Sequence, residues 1–454
     1  MATKTNAPTN VAVEPVPLSP EQQGWLERAY AQIDENRMRA LNLALTNIHS
    51  PTGAEREINE WLAGYMADMG LDASYQPLDE GSGNAIGRLR GSGGGSSLLL
   101  YAPIDTHIEA DPEQDVPWVG PELRPDMLPK GYVADNGDVI GLGSSNPKAL
   151  TTLLAEAVDS IIRAEVPLKG DVILAAAGGG MPTNPPAGSG RMNHGLGSGV
   201  SYMINHGLAP DFAIISKPGW AVSWEEVGLC WFKVNVKGQM GYAGITRSIP
   251  NFRNSIVHAS TFVLALEEWL PKYQERNTSG LCSPQGAISA IRGGWPNKPS
   301  FPSAEVEVYV DLRCTPRTPP SEVRAQFAEA IQQIGVDHPE LDLEWEMLAA
   351  YPAASTDADN WIVQSAMRAW ESVEGRPHEV RTGTSGQTDA SAIRNLGIPT
   401  ARVGPPQVPT TPPEWAGFGG MGVSNIPDLV KVTKAVIYAI IDTCTRTREE
   451  TAAK

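Results

Sequence analysis

Residues 96–111, Ser-Ser-Leu-Leu-Leu-Tyr-Ala-Pro-Ile-Asp-Thr-His-Ile-Glu-Ala-Asp, constrain the fold more than any other stretch. The apolar run at 98–101 reads as a buried strand. It delivers Asp105 and His107 at its C-terminal end. Open α/β sheets carry their chemistry at that end of their strands.

The surrounding pattern supplies the rest of such a sheet. Ser19-Pro20-Glu21-Gln22 reads as a capping box with Pro at the first helical position. It predicts a helix to about Asn47, broken by His49-Ser-Pro-Thr-Gly53. A second helix carries Ile58, Trp61, Leu62, Tyr65, Met66 and Met69 on one face and ends at Gly70. Strands are expected at 72–76, 85–89 and 98–102, followed by a long polar loop at 109–138. A helix at 149–163, a strand at 172–177, a helix at 200–205 and a strand at 212–216 continue the series.

At about Gly228 the pattern changes. Strands at 231–236, 304–312 and 341–347 alternate with helices at 256–270 and 322–334. The first pattern then resumes with a helix at 361–374, a strand at 399–403 and a helix at 428–443. The expected fold class is therefore α/β. A catalytic-type domain, a central sheet flanked by helices, spans 19–228 and 346–454. A small α/β domain is inserted at 229–345, a self-sufficient insert by size. Residues 1–18 lack periodicity and read as a loose arm.

Bulk properties narrow the function. With 454 residues, 41% of them hydrophobic, the chain can bury two cores. A formal charge of −17 disfavours nucleic acid and anionic membrane as partners. The four cysteines are widely spaced with no Cys-x-x-Cys pair, which argues against a disulfide framework or a zinc ribbon. No basic region precedes an apolar core at the N-terminus, and no run approaches the roughly 18 apolar residues of a membrane span. A cytoplasmic location is the expectation.

Several motifs in order resemble the M20 family of zinc aminoacylases, deacylases and exopeptidases. Residues 98–106 are similar to that family's strand ending in His-x-Asp-Thr. Gly141-Leu-Gly-Ser-Ser-Asn-Pro-Lys-Ala149 is similar to its Gly-x-Gly-Ser-Ser-Asp-Met-Lys-Gly. Asp211-Phe-Ala-Ile-Ile-Ser-Lys-Pro218, Trp231-Phe-Lys-Val-Asn-Val-Lys-Gly238, Asp311-Leu-Arg313 and Ser385-Gly-Gln-Thr-Asp-Ala390 complete the set. The resemblance implies a two-metal catalytic domain with an inserted lid and dimerisation domain, hence a homodimer through the lid.

The same resemblance shows what is missing. The family's first metal-binding His falls on Pro103, its bridging Asp on Asn146 and its paired Glu residues near Gly180-Met181. Its Glu before Pro falls on Lys217 and its last His near Phe418. Pro and Gly offer no ligand, and an ammonium repels a dication. No zinc, and no other cofactor, is therefore expected.

Asp105, Lys148 and Thr388-Asp389 persist. Tyr242 lies where the resemblance implies an oxyanion-polarising lid His, and Asn297 and Arg313 where it implies grips on a substrate carboxylate. Lys217 is the most distinctive replacement. It orients an anion, stabilises an oxyanion, serves as an amine nucleophile or fills a dead pocket beside Asp105. His107 reads either as an acid–base group or as a satisfied loop residue. His194, His258 and Glu226 rank lower, a Ser145 nucleophile is disfavoured, and Gly178–Gly180 lacks the phosphate-loop pattern.

The expectation is a metal-independent hydrolase of an amide, imide or related C–N bond in a small carboxylated substrate. Its catalytic residues would be Asp105, His107, Lys217 and Tyr242. Its binding residues would be Asn146, Lys148, Asn297, Arg313 and Thr388. The alternatives are a lyase using Lys217 as a Schiff base and a non-catalytic binder of small carboxylates.

Overall fold

The computed structural model describes residues 11–116, 118–406, 408 and 421–452. The chain divides into two compact units. The larger comprises Asn10–Trp224, Thr356–Arg381 and Thr388–Lys454; the smaller contains Glu225–Ser355 and Thr382–Gln387.

The larger unit is built on a six-stranded mixed sheet flanked by helices. Its strands run in the order Asp72–Pro77, Gly83–Leu89, Val172–Ala177, Leu98–Pro103, Phe212–Ser216 and Thr400–Val403. The last four are mutually parallel, with Leu98 opposite both Val172 and Phe212. All six residues of Leu98–Pro103 are buried. That is the reason for the uninterrupted apolar run: a strand covered on both faces has no polar side to alternate with. Helix Lys148–Arg163 packs on the two central strands, and Ile426–Cys444 packs on it and on Trp361–Glu374.

Two expectations need correction here. The helix expected to run unbroken from Ser19 is two, Pro20–Tyr30 and Glu35–Thr46. Asp34 starts the second by accepting the Asn36 and Arg37 amides. The arm expected to be loose is tied down within its described part. Glu14 N donates to Gln364 Oε1 at 2.8 Å, and Leu18 is buried. Residues 1–10 lie outside the described residues.

The smaller unit is a four-stranded antiparallel sheet, ordered Gly286–Gly293, Glu305–Cys314, Gly228–Lys237 and Asp342–Tyr351. Helices Ser255–Asn277 and Pro320–Asp337 pack against it. Alternation along 230–237 and Glu305–Cys314 turns Phe232, Val234, Val308 and Val310 into a core with Phe262 and Phe327. The edge strand Gly286–Gly293 was not expected. It is exposed along nearly all its length and rich in Gly, Ala and Ser, so no apolar alternation announces it. Helix Ser255–Asn277 also outruns the expected end and passes through Pro271. Pro271 and Glu267, whose carbonyl it frees, lie on the exposed face, where that carbonyl is not shut away from solvent.

Candidate active site

The parallel strands Leu98–Pro103, Val172–Ala177 and Phe212–Ser216 end side by side. Asp105 follows the first, Gly178–Met181 the second and Lys217 the third. Asp105 is fully buried and both its oxygens are occupied. Oδ2 accepts the Thr52 hydroxyl at 2.7 Å and the Met181 amide at 3.0 Å, and Oδ1 accepts the Gly180 amide at 2.8 Å. Burial raises its pKa; these donors and the charge of Lys217 act against that rise.

Lys217 is 7% exposed. Its ammonium donates to Asn146 Oδ1 at 3.4 Å, and its charge also bears on Asp389 and His107. Asp389, fully buried at the start of helix Ala390–Asn395, is the other carboxylate of the cluster. Its Oδ2 accepts the Tyr101 hydroxyl at 2.5 Å, while Oδ1 is buried without a hydrogen-bond partner. Burial pushes Asp389 up to about 7, against the opposing pull of Lys217 and Tyr101. A third carboxylate, Glu55, accepts the Gly53 amide at 2.7 Å and the Gly179 amide at 2.9 Å. Burial and then the charge of Asp105 raise its pKa. Three successive amides, Gly179 to Met181, are thus shared between two buried acids.

His107 lies beyond the strand end and not on a continuation of it. The strand stops at Pro103, and Thr106 bridges to Pro51 instead. His107 lines a cavity of about 410 Å³ together with Trp118, Met181, Pro182, Thr183 and Met421. Burial, then Lys217, lower its pKa to about 4, so the imidazole is neutral at physiological pH.

The remaining expected residues are placed less suggestively. Lys148 is fully buried and donates to the Ile48 carbonyl at 2.7 Å, with burial lowering its pKa to about 7. It ties the start of helix Lys148–Arg163 to the end of the segment at Ile48. Thr388 is 5% exposed and its hydroxyl accepts the Ala390 amide at 3.3 Å. Ser145 donates its amide to the Met421 carbonyl, and His194 is exposed.

Tyr242, Asn297, Arg313, Glu226 and His258 belong to the smaller unit. There Tyr242 is exposed and packs on Phe301, and Asn297 is exposed. Arg313 is already engaged by Asp311 at 3.0 Å. Glu226 is buried in a short strand pair with Ala354, and His258 sits half-buried on Ser255–Asn277.

Sequence reasoning did not assign roles to Glu55, Tyr101 or Asp389. Tyr101 carried a readable signal: a phenol within a buried aliphatic run must find a partner for its hydroxyl.

The residues present do not fit a pair of zinc ions. A Cβ at position 180 would lie 2.3 Å from Pro103 Cβ and 2.6 Å from Asp389 Oδ2, so the turn has no room for a ligand side chain there. Asp105 spends its oxygens on Thr52, Gly180 and Met181, and the Lys217 cation stands among the carboxylates. Among the described residues, no group of three or more His, Cys, Asp or Glu side chains is placed to hold a metal. Phe418 lies outside the described residues.

No family model matches the chain. A tripeptidase from Staphylococcus aureus superposes with a TM-score of 0.66 at 17% identity, covering 91% of this chain and 100% of that one. An M20 family metallo-carboxypeptidase from Sulfolobus solfataricus superposes with a TM-score of 0.64 at 12% identity, covering 89% and 98%. The chain has the M20 peptidase fold. In sequence, an N-formyl-4-amino-5-aminomethyl-2-methylpyrimidine deformylase from Bacillus subtilis is 27% identical over 150 residues. That match spans 32% of this chain and 33% of the length of the deformylase. In this chain the residues that follow the adjacent parallel strands carry an ammonium and a carboxylate.

Proposed function

We propose that the protein is a hydrolase that splits an amide-type C–N bond of a small carboxylated substrate without paired metal ions. The observation that carries this reading is Lys217, buried and acting electrostatically on Asp105, Asp389 and His107. Buried ionisable groups with mutually perturbed protonation, gathered at the C-terminal ends of parallel strands, mark a reactive site. The tripeptidase, the carboxypeptidase and the deformylase, by their names, act on amide bonds, which supports the reaction class.

In this reading Lys217 supplies the positive charge that stabilises the developing oxyanion. Asp389 is the general base, since its Oδ1 is unpartnered and its pKa of about 7 suits proton transfer near neutrality. It takes a proton as the water oxygen attacks the carbonyl carbon. It returns that proton to the nitrogen as the C–N bond breaks, leaving a carboxylic acid and an amine. Asp105, with its oxygens saturated, fixes the Gly180–Met181 turn rather than moving protons.

Steady-state assays on a panel of N-acyl amino acids, cyclic amides and ureides test this. Turnover of at least one class is expected, and the absence of turnover across the whole panel would sink the proposal. A homodimer through residues 229–345 is also proposed, supported by exposed Leu264, Ile291 and Trp295 on the smaller unit. Sedimentation velocity at micromolar concentration should give the dimer mass; a monomer would remove it.

A further inference from the structure

We propose that the cavity beside Asp105 receives an uncharged, flat, ring-bearing group on the acyl side of the scissile bond. This rests on the hydrolase reading above and names its substrate class. The cavity has a volume of about 410 Å³. An apolar cavity of roughly 150 Å³ already admits a benzene ring, so a substituted ring fits here. Its described lining is Trp118, Met181, Pro182, Thr183, Met421 and His107, with no carboxylate, Lys or Arg among them. Among the described lining residues a charged group would lose hydration without gaining a counter-ion. Indole faces and thioethers instead favour contact with an aromatic ring. Trp118 is 57% exposed, leaving its indole open at this wall.

The walls are held in place. His107 and Trp118 come from the chain following Thr106, and Met181 to Thr183 from the turn after Val172–Ala177. Arg191, in the loop that follows Thr183, holds the first of these segments, donating through Nη1 to Glu109 Oε1 at 3.0 Å and through Nη2 to Glu109 Oε2 at 2.5 Å. The same Nη1 also donates to the Thr52 carbonyl at 3.1 Å. A bidentate pair of this kind fixes orientation as well as distance.

The lining is also continuous with the reacting groups. The Met181 amide donates to Asp105, and the Met421 carbonyl accepts the amides of Ser145 and Asn146. The Asn146 side chain in turn accepts the Lys217 ammonium. On the proposal, the carbonyl attached to the ring is the one that meets Lys217, which these hydrogen bonds link to the lining.

The test compares N-benzoylglycine with N-acetylglycine and N-succinylglycine on the full chain. The kcat/KM for benzoylglycine should exceed that of the other two by about tenfold or more. Trp118→Ala should bring the benzoyl-to-acetyl ratio close to one, whereas Trp118→Phe, which keeps a ring, should preserve the preference. A preference for acetyl or succinyl, or a ratio unmoved by Trp118→Ala, would overturn the proposal. If none of the three is hydrolysed, the cavity is still read directly with benzamide. Benzamide should quench tryptophan fluorescence and raise the Tm of wild type but not of Trp118→Ala, and no effect on wild type would overturn the assignment.

Discussion

At the scale of single residues, two buried lysines of the larger unit have different environments. Lys148 donates to one backbone carbonyl, that of Ile48; Lys217 stands among carboxylates and beside Asn146. Lys217→Met should lower kcat by about a hundredfold or more, the scale of losing an oxyanion-stabilising group. Lys148→Met should keep kcat within about threefold, since a buried ammonium replaced by an apolar group of similar size is often tolerated. Steady-state kinetics on both variants decides this, and equal losses would contradict it. Asp389 adds a pH signature. Its pKa is about 7 in the folded chain against 3.8 for an ordinary aspartate carboxyl. Between those values the unfolded chain has lost a proton that the folded chain keeps, so this group makes stability fall as pH rises, by on the order of 4 kcal/mol in all. Asp389→Asn abolishes that contribution. Urea unfolding at pH 5 and pH 8 should show the variant gaining on wild type at the higher pH; a constant difference would contradict the assignment.

At the scale of elements, the turn Gly178–Met181 decides the chemistry. Position 180 presses on Pro103 and Asp389 so closely that a methyl group has no space. Gly180→Ala should therefore destabilise the chain by about 1–3 kcal/mol through overpacking, read as a lowered denaturation midpoint. An unchanged midpoint would mean the turn has slack. The same element shows what a sequence can and cannot tell. Leu98–Pro103, Val172–Ala177 and Phe212–Ser216 were legible because burial on both faces writes an unbroken apolar run, and their ends pointed to Asp105 and Lys217. Gly286–Gly293 was not, because an exposed edge strand imposes no pattern. Asp389 could not be ranked as a base, because its environment depends on Tyr101, 288 positions away. The Ile48 carbonyl as partner of Lys148 was not legible, because the two lie 100 positions apart.

At the scale of the whole molecule, the M20 fold is carried by a chain that shares 12–17% identity with the tripeptidase and carboxypeptidase structures. What that leaves in common is the layering: a mixed sheet whose parallel strands end together, and a second α/β unit. On the proposed function, Lys217 and Asp389 carry the hydrolysis without paired metal ions, and Asp105 holds the turn beside them. No helix among the described residues is long and apolar enough to cross a membrane. The most direct test is the rate of N-acyl amino acid hydrolysis by protein dialysed against a chelator, with metal content determined on the same sample. Undiminished turnover at negligible zinc content, with no gain when zinc is added, is the expected result. Loss of activity on chelation, restored in proportion to zinc bound, would contradict it.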